Sequence, residues 1–239
     1  GALAELWCGA GQDVSSLFYL SVGVGLGAGI VIDGEVYRGA TGTAGEFGHT
    51  TIDPAGPPCN CGNRGCLEVF VSERALMGYL QRSGTEPFPS TPEEVFQAAD
   101  SGDASAISAL ARLGEYLGIG IANAINTFNP ELVVIGGPMA RAGHHVLNAA
   151  RRVVEQRALV SPRSRARIVV SALGEEACAV GAGVLILQEF FRLPQTKANG
   201  LPSAGRRPVG GRRGLRREEA QLAWTRPDRV HYSTVRSPS

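Results

Sequence analysis

The chain has 239 residues, 44% of them apolar, and a formal net charge of +1. That is enough apolar material for one good core or two small ones, and it excludes collagen, coiled coil and wholesale disorder. The longest apolar run, Ala177 to Leu187, is too short to span a bilayer and ends in Gln188-Glu189, and no basic leader opens the chain, so the reading is a globular protein with no membrane contact.

The net charge hides an uneven split. Residues 1–193 carry 13 Arg and no Lys against 19 acids, a balance of −6, whereas residues 194–239 carry 9 Arg and 1 Lys against 3 acids, a balance of +7. The first part is too acidic to attract nucleic acid by itself. From Pro194 the chain lacks apolar periodicity and repeats Gly-Arg-Arg at 205–207 and 211–213. This predicts a disordered basic tail, a solvated extension rather than a nucleic-acid arm.

In chain order, residues 2–8 read as a helix ending at Gly9, and Leu17 to Val24 as a strand entering a glycine-rich bend. Ala28 to Ile32 leads through Asp33-Gly34 into Glu35-Val36-Tyr37, and Asp-Gly between apolar runs is a strong hairpin signal. A helix is expected from about Leu67 to Leu80. After a Pro/Ser/Gly linker, Thr91-Pro92-Glu93-Glu94 supplies an N-cap, a proline at the first helical position and the glutamate of a capping box. Asp103 to Phe128 is a long helical pattern closed by Asn129-Pro130, and Glu131 to Ile135 is a short strand stopped by Gly136-Gly137. Arg141 to Arg157 reads as a helix, Ala166 to Val170 as a strand, and Glu175 to Phe191 as a last helix whose apolar face packs on the sheet. Strands alternating with helices indicate an α/β fold with a mixed sheet.

Two segments carry chemistry. Cys59, Cys61 and Cys66, ten residues beyond Glu46-Phe47-Gly48-His49, put three thiolates and an imidazole within reach of one ion, a closed four-ligand set for structural zinc. Disulfides fit less well: Cys59 and Cys61 are too close to bridge without strain, and five cysteines leave one unpaired, which favours a reducing compartment. Cys8 and Cys178 lie in apolar helical patterns and are expected in the core. The second segment, Val22-Gly23-Val24-Gly25-Leu26-Gly27-Ala28-Gly29, can expose a row of backbone amides to a phosphate or can serve packing alone. It matches neither a P-loop nor a dinucleotide fingerprint. The adjacent His144 and His145 cannot both face one site and are expected on the surface.

Gly25-Leu26-Gly27-Ala28-Gly29, the run Gly39 to His49, the Cys59–Cys66 loop with Glu68, and Val134-Ile135-Gly136-Gly137 together resemble the ROK family of sugar kinases and sugar-responsive repressors, over about residues 1–190. The resemblance implies an actin/hexokinase-like (ribonuclease H-like) ATPase fold, here its C-terminal half over residues 1–193 with an inserted zinc loop. It implies structural zinc on His49, Cys59, Cys61 and Cys66, and sugar hydroxyls bound by Glu46 and Glu68 with His49 close by. Gly25 and Gly27 would face a nucleotide phosphate, and Gly136 and Gly137 would lie against the adenosine.

Two departures favour the regulator branch. Kinases of the family carry Gly-Thr-Gly where this chain has Val24, and losing a hydroxyl contact to phosphate costs on the order of 1.5–3 kcal/mol. The catalytic aspartate and first phosphate loop of the kinases would lie ahead of Gly1, as would a repressor's DNA-binding domain, so the chain as it stands is not expected to transfer phosphate. The expectation is the effector-binding, oligomerising part of a ROK regulator in the cytoplasm, taking a sugar or sugar phosphate, meeting DNA only through an upstream domain, and pairing through helix 103–128 or its neighbours. The alternative is part of a glucokinase-like enzyme using ATP and Mg2+.

Overall fold

The computed structural model describes residues 1–81 and 89–191, so the basic tail and most of the expected Pro/Ser/Gly linker lie outside the described residues. The chain opens on helix α1 (Ala2–Cys8), followed by strands β1 (Leu17–Val22), β2 (Leu26–Ile32) and β3 (Glu35–Val36). The hairpin between β2 and β3 turns on Asp33 and Gly34, both at positive φ, 53° and 77°. That is the primed turn whose twist matches paired strands, as the Asp-Gly signal predicts. Helices α2 (Glu73–Gln81), α3 (Pro92–Asp100) and α4 (Ala104–Phe128) precede β4 (Leu132–Gly136); α5 (Gly143–Arg157), α6 (Val160–Arg163), β5 (Arg167–Val170) and α7 (Ala177–Phe191) complete the order.

The five strands form one mixed sheet in the order β3-β2-β1-β4-β5. β1 runs antiparallel to β2 and parallel to β4, which is parallel to β5. Alternation along the strands builds two cores, because successive side chains point to opposite faces. Phe18, Leu20, Val22, Val133 and Ile135 join α2 to α5 in the large cluster. Leu17, Tyr19, Leu132 and Val134 face the other way into a smaller cluster with Ala2 and Ala177.

Helix ends follow local chemistry. Asp103 caps α4 by accepting from the Ala106 N–H at 2.8 Å, and Asn129 closes it at φ 47°, ψ 51°. Thr91 caps α3 through the Glu94 N–H at 3.3 Å, but the Glu94 carboxylate reaches back to the Ser90 N–H at 2.6 Å, one residue before the position a capping box uses.

Several expectations need correction. The helix expected from Leu67 is split into a 3-10 turn, Leu67–Val69, and α2 from Glu73. Ser72 is the cause: its hydroxyl accepts from Ala75 N–H at 3.3 Å, and the Glu73 N–H donates at 2.9 Å to Gly23 O, so tertiary structure sets the start of α2. Residues 138–142 likewise form a 3-10 turn, ending where Gly143 takes φ 51°. The last helix reaches the sheet at its start, where Ala177 joins the smaller cluster, and then runs along α1, which covers β2 where Ala2 sits over Gly29. Leu185, Ile186 and Leu187 therefore stay exposed. Cys8 and Cys178 are exposed rather than core residues. His144 is exposed as expected; His145 is largely covered and its Nε2 lies 3.2 Å from Asp100 on α3.

Candidate functional site

The site is built where β1 and β4 end. These strands are parallel neighbours, Ser21 opposite Gly136, so the Gly23–Gly25 turn after β1 and the Gly136-Gly137 turn after β4 emerge side by side. The carboxyl ends of adjacent parallel strands are where α/β sheets leave a crevice for ligands. The turn itself is shorter than the alternating glycines suggest, since Leu26 already begins β2. Gly27 thus belongs to a strand, with open space where a side chain would be, while Gly136 lies against the Tyr19 ring and Gly137, at φ 77°, against the Val22 backbone. Of the segment 22–29, read as either an amide row for phosphate or a packing turn, the structure makes a tight hairpin whose tip residue, Val24, is 84% exposed.

Glu46 and His49 approach this turn on the 3-10 segment Phe47–His49, which lies edge-on against β2. The Ala28 N–H donates to Gly45 O at 2.8 Å, and any side chain at Gly45 or Gly48 would collide with the Ala28 or Leu26 carbonyl. The two glycines thus allow the approach that sets Glu46 and His49 beside the β1–β2 hairpin. Gly45, at φ 107°, also adopts a backbone that other residues resist.

Beyond His49 the chain forms a knuckle. Its legs are joined by Leu67 N–H to Thr50 O at 2.9 Å and Ile52 N–H to Gly65 O at 2.8 Å, and its tip by Cys59 N–H to Asn63 O at 2.7 Å. This draws His49, Cys59, Cys61 and Cys66 together, with their ligand atoms all within 4.8 Å of one another. Cys59 Sγ lies 3.6 Å from His49 Nδ1, and Cys61 Sγ lies 3.7 Å from Cys66 Sγ. Tetrahedral zinc, bonded at about 2.3 Å to sulfur and about 2.05 Å to nitrogen, has N···S and S···S edges of about 3.5 and 3.8 Å. The donor set and its edges fit that ion. Burial pushes the Cys66 thiol up to about 12, reinforced by the thiols of Cys61 and Cys59, while the Asn63 backbone amide draws Cys61 downward. A metal ion is the group that would remove the Cys66 proton, since coordinating thiols are deprotonated outright.

With Nδ1 turned to the cysteines, His49 directs Nε2 toward Glu46, 4.0 Å from its carboxylate. Glu68 follows directly from Cys66 and Leu67. Its Oε2 accepts from the Leu26 N–H at 2.9 Å, and a side chain on Gly25 would approach that oxygen to 2.8 Å. No sequence pattern marks this bond between the Glu68 carboxylate and the glycine hairpin.

Glu68 and Val24 also line a cleft of about 550 Å³ between the knuckle, α2 and α4, together with Arg74, Arg112 and Tyr116. These last residues carried no signal as a motif. Arg74/Gly78 and Arg112/Tyr116 share an i,i+4 spacing on two helices, but only the packing of α2 on α4 turns them to one cavity.

The fold and this knuckle define the class: a mixed α/β lobe of the actin/hexokinase-like ATPases, carrying a possible Cys/His metal centre. The chain belongs to the ROK family, whose model matches residues 1–189. It is 44% identical over 205 residues to a putative xylose repressor of Caldicellulosiruptor sp. (strain Rt8B.4), covering 81% of this chain and 51% of that protein. It is 37% identical over 201 residues to a glucokinase of Halalkalibacterium halodurans, covering 79% and 61%. Among solved structures, a ROK family glucokinase from Streptomyces griseus in complex with glucose and AMPPNP superposes with a TM-score of 0.73 at 31% identity, over 78% of this chain and 65% of that one. The chain thus spans about half the length of the repressor and somewhat more of the kinases. Among its described residues no helix is long and apolar enough to cross a membrane.

Proposed function

We propose that this chain is the effector-binding part of a sugar-responsive ROK regulator. A sugar would bind at Glu46, His49 and Glu68, beside structural zinc held by His49, Cys59, Cys61 and Cys66. The zinc performs no reaction in this reading; it would cross-link the knuckle so that His49 and Glu68, at its two ends, keep a fixed spacing. The 4.0 Å between His49 Nε2 and Glu46 is too long for a direct hydrogen bond. A sugar hydroxyl between them would accept from the imidazole and donate to the carboxylate. Ionised carboxylates are roughly twice as strong acceptors as neutral groups, which suits Glu46 and Glu68 to fixing a sugar's orientation. The effect on DNA would come through a separate domain, and the ligand would act by preferring one of two states. Free thiols fit a cytoplasmic setting, and the family resemblance supports a homo-oligomer.

The observation that favours regulator over kinase is Val24. It is exposed at the hairpin tip, where a kinase of the family would present a threonine hydroxyl to phosphate. Gly25, Gly27, Gly136 and Gly137 still outline a nucleotide crevice in this proposal, but one lacking that donor. The kinase reading rests on the glucokinase relatives. Titration with a non-hydrolysable ATP analogue and Mg2+ separates the two. The regulator reading expects weak binding that strengthens about tenfold in Val24→Thr, the equivalent of about 1.4 kcal/mol. Tight binding that Val24→Thr leaves unchanged would support the kinase.

A further inference from the structure

We infer that the cleft beside Glu68 binds the anionic group of a charged sugar, a phosphate or a carboxylate, through Arg74 and Arg112. This deepens the proposed function and rests on its placement of the sugar at Glu68. At about 550 Å³ the cleft falls within the roughly 300–1,000 Å³ range of small-molecule sites and leaves room beyond the sugar carboxylate.

Its lining is mixed in charge. Glu68 is the only acid lining it among the described residues, and its carboxylate is tied back to Leu26 N–H at 2.9 Å, at the hairpin end. Arg74 of α2 and Arg112 of α4 supply two guanidinium groups, and neither has a carboxylate partner among the described residues, although residues 1–193 hold six more acids than bases. Arg112 sits over the Tyr79 ring, 5.2 Å from its centroid. Tyr79 is nine-tenths buried, and Tyr116 is stacked between it and Phe70, with centroid separations of 6.2 and 4.5 Å. An arginine held by its face on an aromatic ring keeps its N–H edge available, and that edge matches two oxygens of a phosphate or carboxylate. A ligand carrying both hydroxyls and an anion would match this lining.

The test is calorimetric titration of the chain with matched pairs, glucose against glucose 6-phosphate and glucuronate, and xylose against xylose 1-phosphate, at low and moderate salt. At least one charged sugar should bind tenfold or more tighter than its neutral parent, with the advantage shrinking as salt rises. In the double variant Arg74→Met/Arg112→Met that advantage should fall below threefold while the neutral sugar's affinity stays the same. Arg152→Met, in the neighbouring α4–α5 groove, should leave it intact. The phosphate and carboxylate arms show which anion is held. No charged sugar outbinding its parent, or an advantage that survives the double variant, would overturn the inference. If the neutral sugar binds but Glu68→Gln does not weaken it, the underlying placement of the sugar fails instead.

Discussion

Glu68 meets two demands at once: it accepts from the hairpin at Leu26 and, in the proposed function, from a sugar. Exchange for glutamine keeps an oxygen for the Leu26 N–H but removes the charge that strengthens the sugar contact. Glu68→Gln should therefore weaken sugar affinity about tenfold with little change in Tm. Unchanged affinity, measured by calorimetry, would move the sugar elsewhere. At this scale the sequence was partly legible. The Glu-x-x-His and Cys-x-Cys spacings identify residues that do converge, because short loops leave few ways to arrange them. The Glu68–Leu26 bond and the pairing of Arg74 with Arg112 were not legible, since each joins residues dozens of positions apart.

Among the elements, the knuckle from Thr50 to Leu67 is held by few backbone bonds and buries little apolar surface beyond Cys59, Cys66 and Leu67, so a metal would stabilise it strongly. Elemental analysis should find one zinc per chain, and a strong chelator or Cys66→Ser should lower the melting temperature. A metal contribution of about 3 kcal/mol corresponds to roughly 6–12 °C for a domain of this size. Identical melting with and without chelator would sink the four-ligand assignment. A second junction is electrostatic. Glu131, at the start of β4, accepts from the backbone and hydroxyl of both Ser15 and Ser16 before β1, and those bonds hold its carboxyl below the usual glutamate range. A depressed folded value means the stabilisation is fully present above the ordinary glutamate range and disappears as pH falls through the depressed one. Acid melts should show Glu131→Gln losing stability at neutral pH but converging with the parent at low pH; parallel curves would refute the role.

Element boundaries show where sequence patterns stop informing. Periodicity located every long helix and the strands, because each must bury one face. It missed the break at Ser72 and the course of α7, since an apolar run does not say whether a sheet or another helix will cover it.

For the whole molecule, an α/β fold with a mixed sheet was legible in the sequence, but the strand order, the two unequal cores and the side-by-side ends of β1 and β4 came only from the structure. In the proposed function, a metal-bound corner presents Glu46, His49 and Glu68 to a sugar. The direct test is calorimetric titration of the zinc-loaded chain with neutral xylose and glucose. At least one sugar should bind saturably with one site per chain, and that binding should be lost when the metal is stripped. No heat at millimolar concentrations of either sugar from a folded, zinc-loaded chain would contradict it.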